Sequence, residues 1–86
     1  MIDIEFINKA IARCEHMRAD FPAISTFVSI RNQLEYIKDV FTGKNTDKSK
    51  LGEIIIGVQA AREIENIDED FAEMLHDISA WVDENK

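Results

Sequence analysis

The chain has 86 residues, 17 acids, 10 Lys or Arg and a formal net charge of −7. A chain of this length buries one hydrophobic core, so residues 1–86 form a single domain. The acid excess excludes nucleic acid and an anionic membrane as main partners, since both select clustered Lys and Arg.

Apolar residues make up 45% of the chain, too many for a disordered one. A single Cys excludes an internal disulfide framework and a Cys-based zinc cage. No apolar run approaches the roughly 20 residues that cross a bilayer. The start, Met-Ile-Asp-Ile-Glu-Phe, carries acids where a signal peptide needs a basic region. The expectation is a cytosolic protein in a reducing compartment.

Punctuation falls at Phe21-Pro22, at Thr42-Gly43-Lys44-Asn45 and at Asn66-Ile67-Asp68, leaving four segments with helical periodicity. The first runs from Asp3 to Asp20, with Ile7, Ala10, Ile11, Cys14 and Met17 three and four apart. Asp3 is its N-cap, and Pro22 forces the chain out of the helix by Phe21. The second runs from Ser25 to Thr42, with Phe27, Ile30, Leu34, Ile37 and Phe41 on one narrow stripe. Gly43 closes it in a left-handed conformation.

The third runs from Ser49 to Glu65, with Leu51, Ile54, Ile55, Val58 and Ala61 on a shared face. Ile54-Ile55-Ile56-Gly57-Val58 also fits a short buried strand. Nothing else in the chain reads as β, so a strand there lacks a partner and the expectation is helix. Gly57 costs a helix about 1 kcal/mol against Ala, which points to close approach of a neighbouring helix. The fourth runs from Asp68 to Glu84, with Asp68 as N-cap and Phe71, Met74, Leu75, Ile78, Trp81 and Val82 inward. Four such helices with short connections make an all-α fold, a small antiparallel four-helix bundle.

Catalytic signatures are missing. His16 and His76 have no metal-ligand spacing to a second His or Cys, and the chain has no His-Glu-x-x-His, Gly-rich phosphate loop or nucleophile elbow. Both His read as surface residues, and Cys14 as a buried, inert thiol. Glu73 and His76 have the Glu-x-x-His spacing of a di-metal site, but only once and on an outer face. The expectation is therefore no catalytic residue, no metal and no cofactor.

Charge segregation is the informative feature. Residues 1–62 hold eight acids against nine bases, whereas residues 63–86 hold nine acids against Lys86 alone. Asp70, Glu73, Asp77 and Glu84 fall on one helical stripe opposite the apolar face. Like charges at such spacings each cost a few tenths of a kcal/mol. Two readings fit: a solvated face that keeps the chain soluble, or an acidic docking surface for a basic partner. Trp81 continues an apolar stripe into the core. Tyr36 is either a core margin or an interface anchor. Arg62 either pairs with Glu65 or Asp68, or serves an interface.

Five motifs then follow in order: Phe21-Pro22, Gln33-Leu34-x-Tyr36-Ile37, Asp47-Lys48-Ser49-x-Leu51, Gly57-x-x-Ala60-Ala61-Arg62-Glu63 and Asp68-x-Asp70-Phe71. This series resembles the small immunity proteins of bacterial type VI secretion that neutralise an NAD(P)+ glycohydrolase toxin. The chain departs from that pattern at Glu69, where such proteins tend to carry Pro, and in ending soon after Trp81. The resemblance implies a compact helical chain that is not an enzyme. It implies a one-to-one complex with a cognate effector toxin domain whose active site it blocks. The partner-binding residues expected from motif and stripe together are Tyr36, Arg62, Glu63, Asp70, Glu73 and Asp77. The other reading is a helical adaptor that binds a basic partner without inhibiting it, and an exposed helix face also leaves room for a homodimer.

Overall fold

The computed structural model describes residues 2–86. It is an all-α bundle, with no strand among the described residues. Helix α1 spans Ile4–Asp20, α2 spans Thr26–Phe41, α3 spans Ile56–Gln59 and continues as a π turn over Ala60–Ile64, and α4 spans Glu69–Asn85.

The caps act as the sequence indicates. Asp3 Oδ1 accepts the Phe6 N–H at 2.8 Å, and α1 ends at Asp20, two residues before Pro22. Asp68 Oδ1 accepts the Phe71 N–H at 3.1 Å and starts α4. Gly43 stands at φ 81° just past α2, a conformation that only glycine adopts without strain.

The third segment corrects the expectation. It is not one helix from Ser49 to Glu65. A 3-10 turn covers Ser49–Glu53, Ile54 is extended at φ −71°, ψ 129°, and the helix begins at Ile56. The buried set is Leu51, Ile56, Ala60 and Ile64, while Ile55 and Val58 are about half exposed. Three consecutive β-branched residues between Gly52 and Gly57 resist helix nucleation. The Gln33 side chain on α2 also captures the Ile55 N–H at 2.7 Å. The helix then ends in the π turn, where the Glu65 N–H reaches back five residues to the Ala60 carbonyl at 3.0 Å.

Successive helices pack side by side, and α4 returns against α1, so α1 and α3 each touch both α2 and α4. The core runs between them. Phe27 is fully buried and stacks on Phe21 at 6.2 Å and on Phe71 at 6.5 Å between ring centroids. Trp81 packs at the core margin on Phe41, at 5.3 Å. Gly57 explains itself at the α3–α4 seam: a Cβ there would lie 2.7 Å from Ser79 Oγ and 3.2 Å from Ser79 Cβ. Arg13 on α1 forms an ion pair with Asp68, tying α1 to the start of α4. Cys14 is buried and donates to the Phe27 carbonyl. Burial, helped by the Glu15 charge, pushes its thiol up to about 11.

Candidate functional site

Helix α4 turns about 100° per residue, so Asp70, Glu73 and Asp77 share one outward stripe opposite Phe71, Leu75 and Ile78. All three are exposed, and none has an ion-pair partner among the described residues. The stripe is therefore an uncompensated negative surface. Beside it, Glu65, Glu69, Glu73 and His76 border an open hollow between α4 and the π turn. His76 Nε2 stands 2.9 Å from Glu65 Oε2. Among the described residues, no group of three or more His, Cys, Asp or Glu is placed to hold a metal ion.

The other three expected contact residues lie elsewhere. The half-buried Tyr36 donates its hydroxyl to the Asp47 carbonyl at 2.7 Å and straps the 43–48 loop onto α2. That loop is further ordered by Asp47, whose carboxylate takes the Ser49 N–H at 2.9 Å. Hydrogen bonds from Ser49, side chain and backbone, hold the Asp47 carboxyl below its ordinary value. Glu63 accepts the Thr26 hydroxyl at 2.9 Å, pinning the π turn to the start of α2. Arg62 projects from the π turn, exposed. The expected pairing with Glu65 or Asp68 does not form, because His76 takes Glu65 and Arg13 takes Asp68.

A second surface escaped the sequence reading. A groove follows the outer flank of α2, walled on one side by the Phe21–Ile24 turn and on the other by residues 50–55. Its floor is a locked amide network. Gln33 Nε2 donates to Gln59 Oε1 at 2.8 Å, and both amides donate to Ser29 Oγ at 3.1 Å. Val28 and Ile55 stand in its wall, 43% and 50% exposed. The available signal was Val28, an apolar β-branched residue one step off the buried stripe of α2.

A family model described as Tsi6 matches residues 3–84. The chain belongs to the Tsi6 family. It is 30% identical over 77 residues to the immune protein Tsi6 of Pseudomonas aeruginosa, covering 90% of this chain and 82% of that protein. Its fold is similar to a chain in the solved structure of Tse6 in complex with Tsi6, with TM-score 0.85, 29% identity, and 95% and 86% of the two chains covered. It is likewise similar to the solved structure of Tsi6 from Pseudomonas aeruginosa, with TM-score 0.82, 27% identity, and 95% and 94% covered.

Seen as a Tsi6-family chain, the motif residues sort into roles. Gln33 holds the start of α3, Tyr36 straps a loop, Gly57 permits a helix contact and Asp68 caps α4. These positions serve the fold. Among the expected contact residues, Asp70, Glu73, Asp77 and Arg62 are exposed and without an ion-pair partner among the described residues, and the α2 groove adds exposed apolar side chains.

Proposed function

We propose that this chain is an immunity protein that binds a cognate secreted toxin domain, one to one, and occludes its active site. The observation that carries this reading is the likeness, across 95% of the chain, to a chain in the complex of Tse6 with Tsi6. The protein performs no catalysis in this role. Occlusion needs only a rigid surface of matching shape and charge, and a single bundle over residues 1–86 supplies one.

The toxin is an NAD(P)+ glycohydrolase in this proposal, and the chain acts in the cytosol, where that substrate is. A cleft that takes the phosphates of NAD(P)+ is electropositive. Asp70, Glu73 and Asp77 present carboxylates that match such a field and speed encounter. Arg62, exposed on the π turn, adds a cation with no ion-pair partner among the described residues. Tyr36 and Glu63 act by holding the 43–48 loop and the π turn in place against α2.

Co-expression with the toxin domain from the adjacent reading frame, with growth and cellular NAD+ measured together, tests the proposal. Toxin alone should arrest growth and deplete NAD+, and this chain should restore both. Rescued growth without prior NAD+ depletion keeps immunity and overturns the glycohydrolase assignment. A folded chain that gives no rescue overturns immunity in favour of the non-inhibitory adaptor.

A further inference from the structure

The groove beside α2 is poorly explained as a by-product of folding. From Ser25 to Tyr36 it follows eleven residue steps of helix, about 17 Å at 1.5 Å per residue. Hollows of about 320 and 610 Å³ meet at Val28, and the second runs on past Asn32 and Gln33 toward Lys50. Of the five large apolar side chains that stay exposed among the described residues, Phe21, Val28 and Ile55 line it, and Val58 follows Ile55 in α3. The floor cannot collapse to cover them. Phe21 is stacked on the core through Phe27, and Gln33 and Gln59 are locked to Ser29. A fixed apolar groove with a polar floor has the make-up of the centre of a protein interface, not of its rim.

Charge states what fits there. At one end Arg18 and Arg31 both pair with the single carboxylate of Glu15. At the other, Lys50 and Glu53 offset each other. The groove is thus neutral to slightly positive on a chain of net charge −7. Its occupant is apolar, with an acidic group at the Arg18 end. The stripe of Asp70, Glu73 and Asp77 calls for basic residues instead. α3 lies between the two surfaces, packed against both α2 and α4.

We infer that the cognate toxin domain anchors in the α2 groove, inserting an apolar ridge between Val28 and Ile55 with a carboxylate beside Arg18, a proposal that rests on the immunity reading. The acidic stripe of α4 then attracts the toxin's basic cleft, and the groove holds the complex together. Speed of encounter and lifetime of the complex therefore reside on different faces of the bundle.

The test measures association and dissociation rates of the purified toxin domain with the full chain and four variants: Val28→Glu, Ile55→Glu, the triple reversal Asp70→Lys/Glu73→Lys/Asp77→Lys, and Ala12→Glu on exposed α1 as a control. Val28→Glu and Ile55→Glu should each weaken binding by about tenfold or more, mainly through faster dissociation. The triple reversal should mainly slow association, in a salt-dependent way. Ala12→Glu should bind like the native chain. If Val28→Glu does not fold, as judged by circular dichroism, Val28→Ser tests the same contact. A native chain that binds and protects, with Val28 and Ile55 variants of unchanged affinity, overturns the groove and leaves immunity intact. A native chain that does not bind overturns both. A native chain that sediments as a dimer dissolved by Val28→Glu assigns the groove to a second copy and overturns the toxin contact.

Discussion

The carboxamide of Gln33 joins two segments that are 22 residues apart: its Oε1 accepts the Ile55 N–H at 2.7 Å, while its Nε2 donates to Gln59 at 2.8 Å. One side chain thereby fixes both where α3 begins and how it lies on α2. Replacing it by Leu keeps the bulk and removes every one of these bonds. Gln33→Leu should cost about 1–3 kcal/mol, and several degrees of melting temperature in a chain this small. Gln33→Glu keeps the acceptor for Ile55 and should lose less. Thermal unfolding followed at 222 nm distinguishes the two.

Gly57 faces Ser79 across the α3–α4 seam. Ala is the better helix former by about 1 kcal/mol, yet its Cβ would meet Ser79 Oγ at 2.7 Å. Overpacking of this kind costs about 1–3 kcal/mol, so Gly57→Ala should destabilise despite the gain in propensity. Adding Ser79→Ala removes the worst contact and leaves the one at 3.2 Å. The double variant should recover part of the loss, which a denaturation cycle over the four proteins measures.

Asp68 is both a helix cap and the ion-pair partner of Arg13, its side chain only 12% exposed. Burial acts to raise its pKa. The Phe71 N–H, the Arg13 hydrogen bond and charge, and the Asp70 N–H together outweigh burial, and the carboxyl sits below its ordinary 3.8. A lowered carboxylate pKa stabilises the folded state above the unfolded value and loses that contribution as pH falls through the folded one. Native stability should therefore hold down to about pH 5 and fall below pH 4. Asp68→Asn retains a cap and should cost less at pH 7 than Asp68→Ala. Its stability should also vary less between pH 5 and pH 2, as urea titrations at each pH would show.

The acidic stripe has a stability cost. Glu73 faces Glu69 and Asp77 one turn away on either side, so Glu73→Lys replaces two repulsions by two attractions. It should stabilise the chain by about 0.5–1 kcal/mol at low salt, with the gain shrinking in 1 M NaCl. The same variant should associate more slowly with the toxin. A chain made steadier by a change that slows its recognition would place the carboxylates under selection for contact.

Cys14 should be silent toward thiol reagents at neutral pH. Its sulfur is buried, and its pKa near 11 leaves almost no thiolate. Ellman's reagent should modify it only as fast as the protein opens, and at once in denaturant.

Much of the fold was legible because α1, α2 and α4 each carry a long three-and-four stripe, and α1 and α4 start at an Asp that caps them. The third segment misled because Leu51, Ile54, Ile55 and Val58 also match a helical face. What decided the matter was a side chain on another helix, Gln33, which no local pattern reveals. The acidic stripe was legible for the same reason as the long helices: its members share one element. The α2 groove was not, because its walls come from the 21–24 turn, from α2 and from residues 50–55. Of the two readings of Arg62, the pairing with Asp68 fails for an equally non-local reason, since Arg13 claims Asp68 from 55 residues away.

Helices that follow each other in the chain pack on each other, and the seam between α1 and α4, with its Arg13–Asp68 pair, joins the two ends of the described residues. Such wiring keeps contact order low. Helical bundles of low contact order fold in microseconds to milliseconds, far faster than a ribosome adds about one residue in 0.05–0.2 s. The last helix must leave the ribosome before the seam can close, so synthesis and not folding sets when the chain is ready. On the proposed immunity role, the interval between translation and protection is then no longer than translation itself.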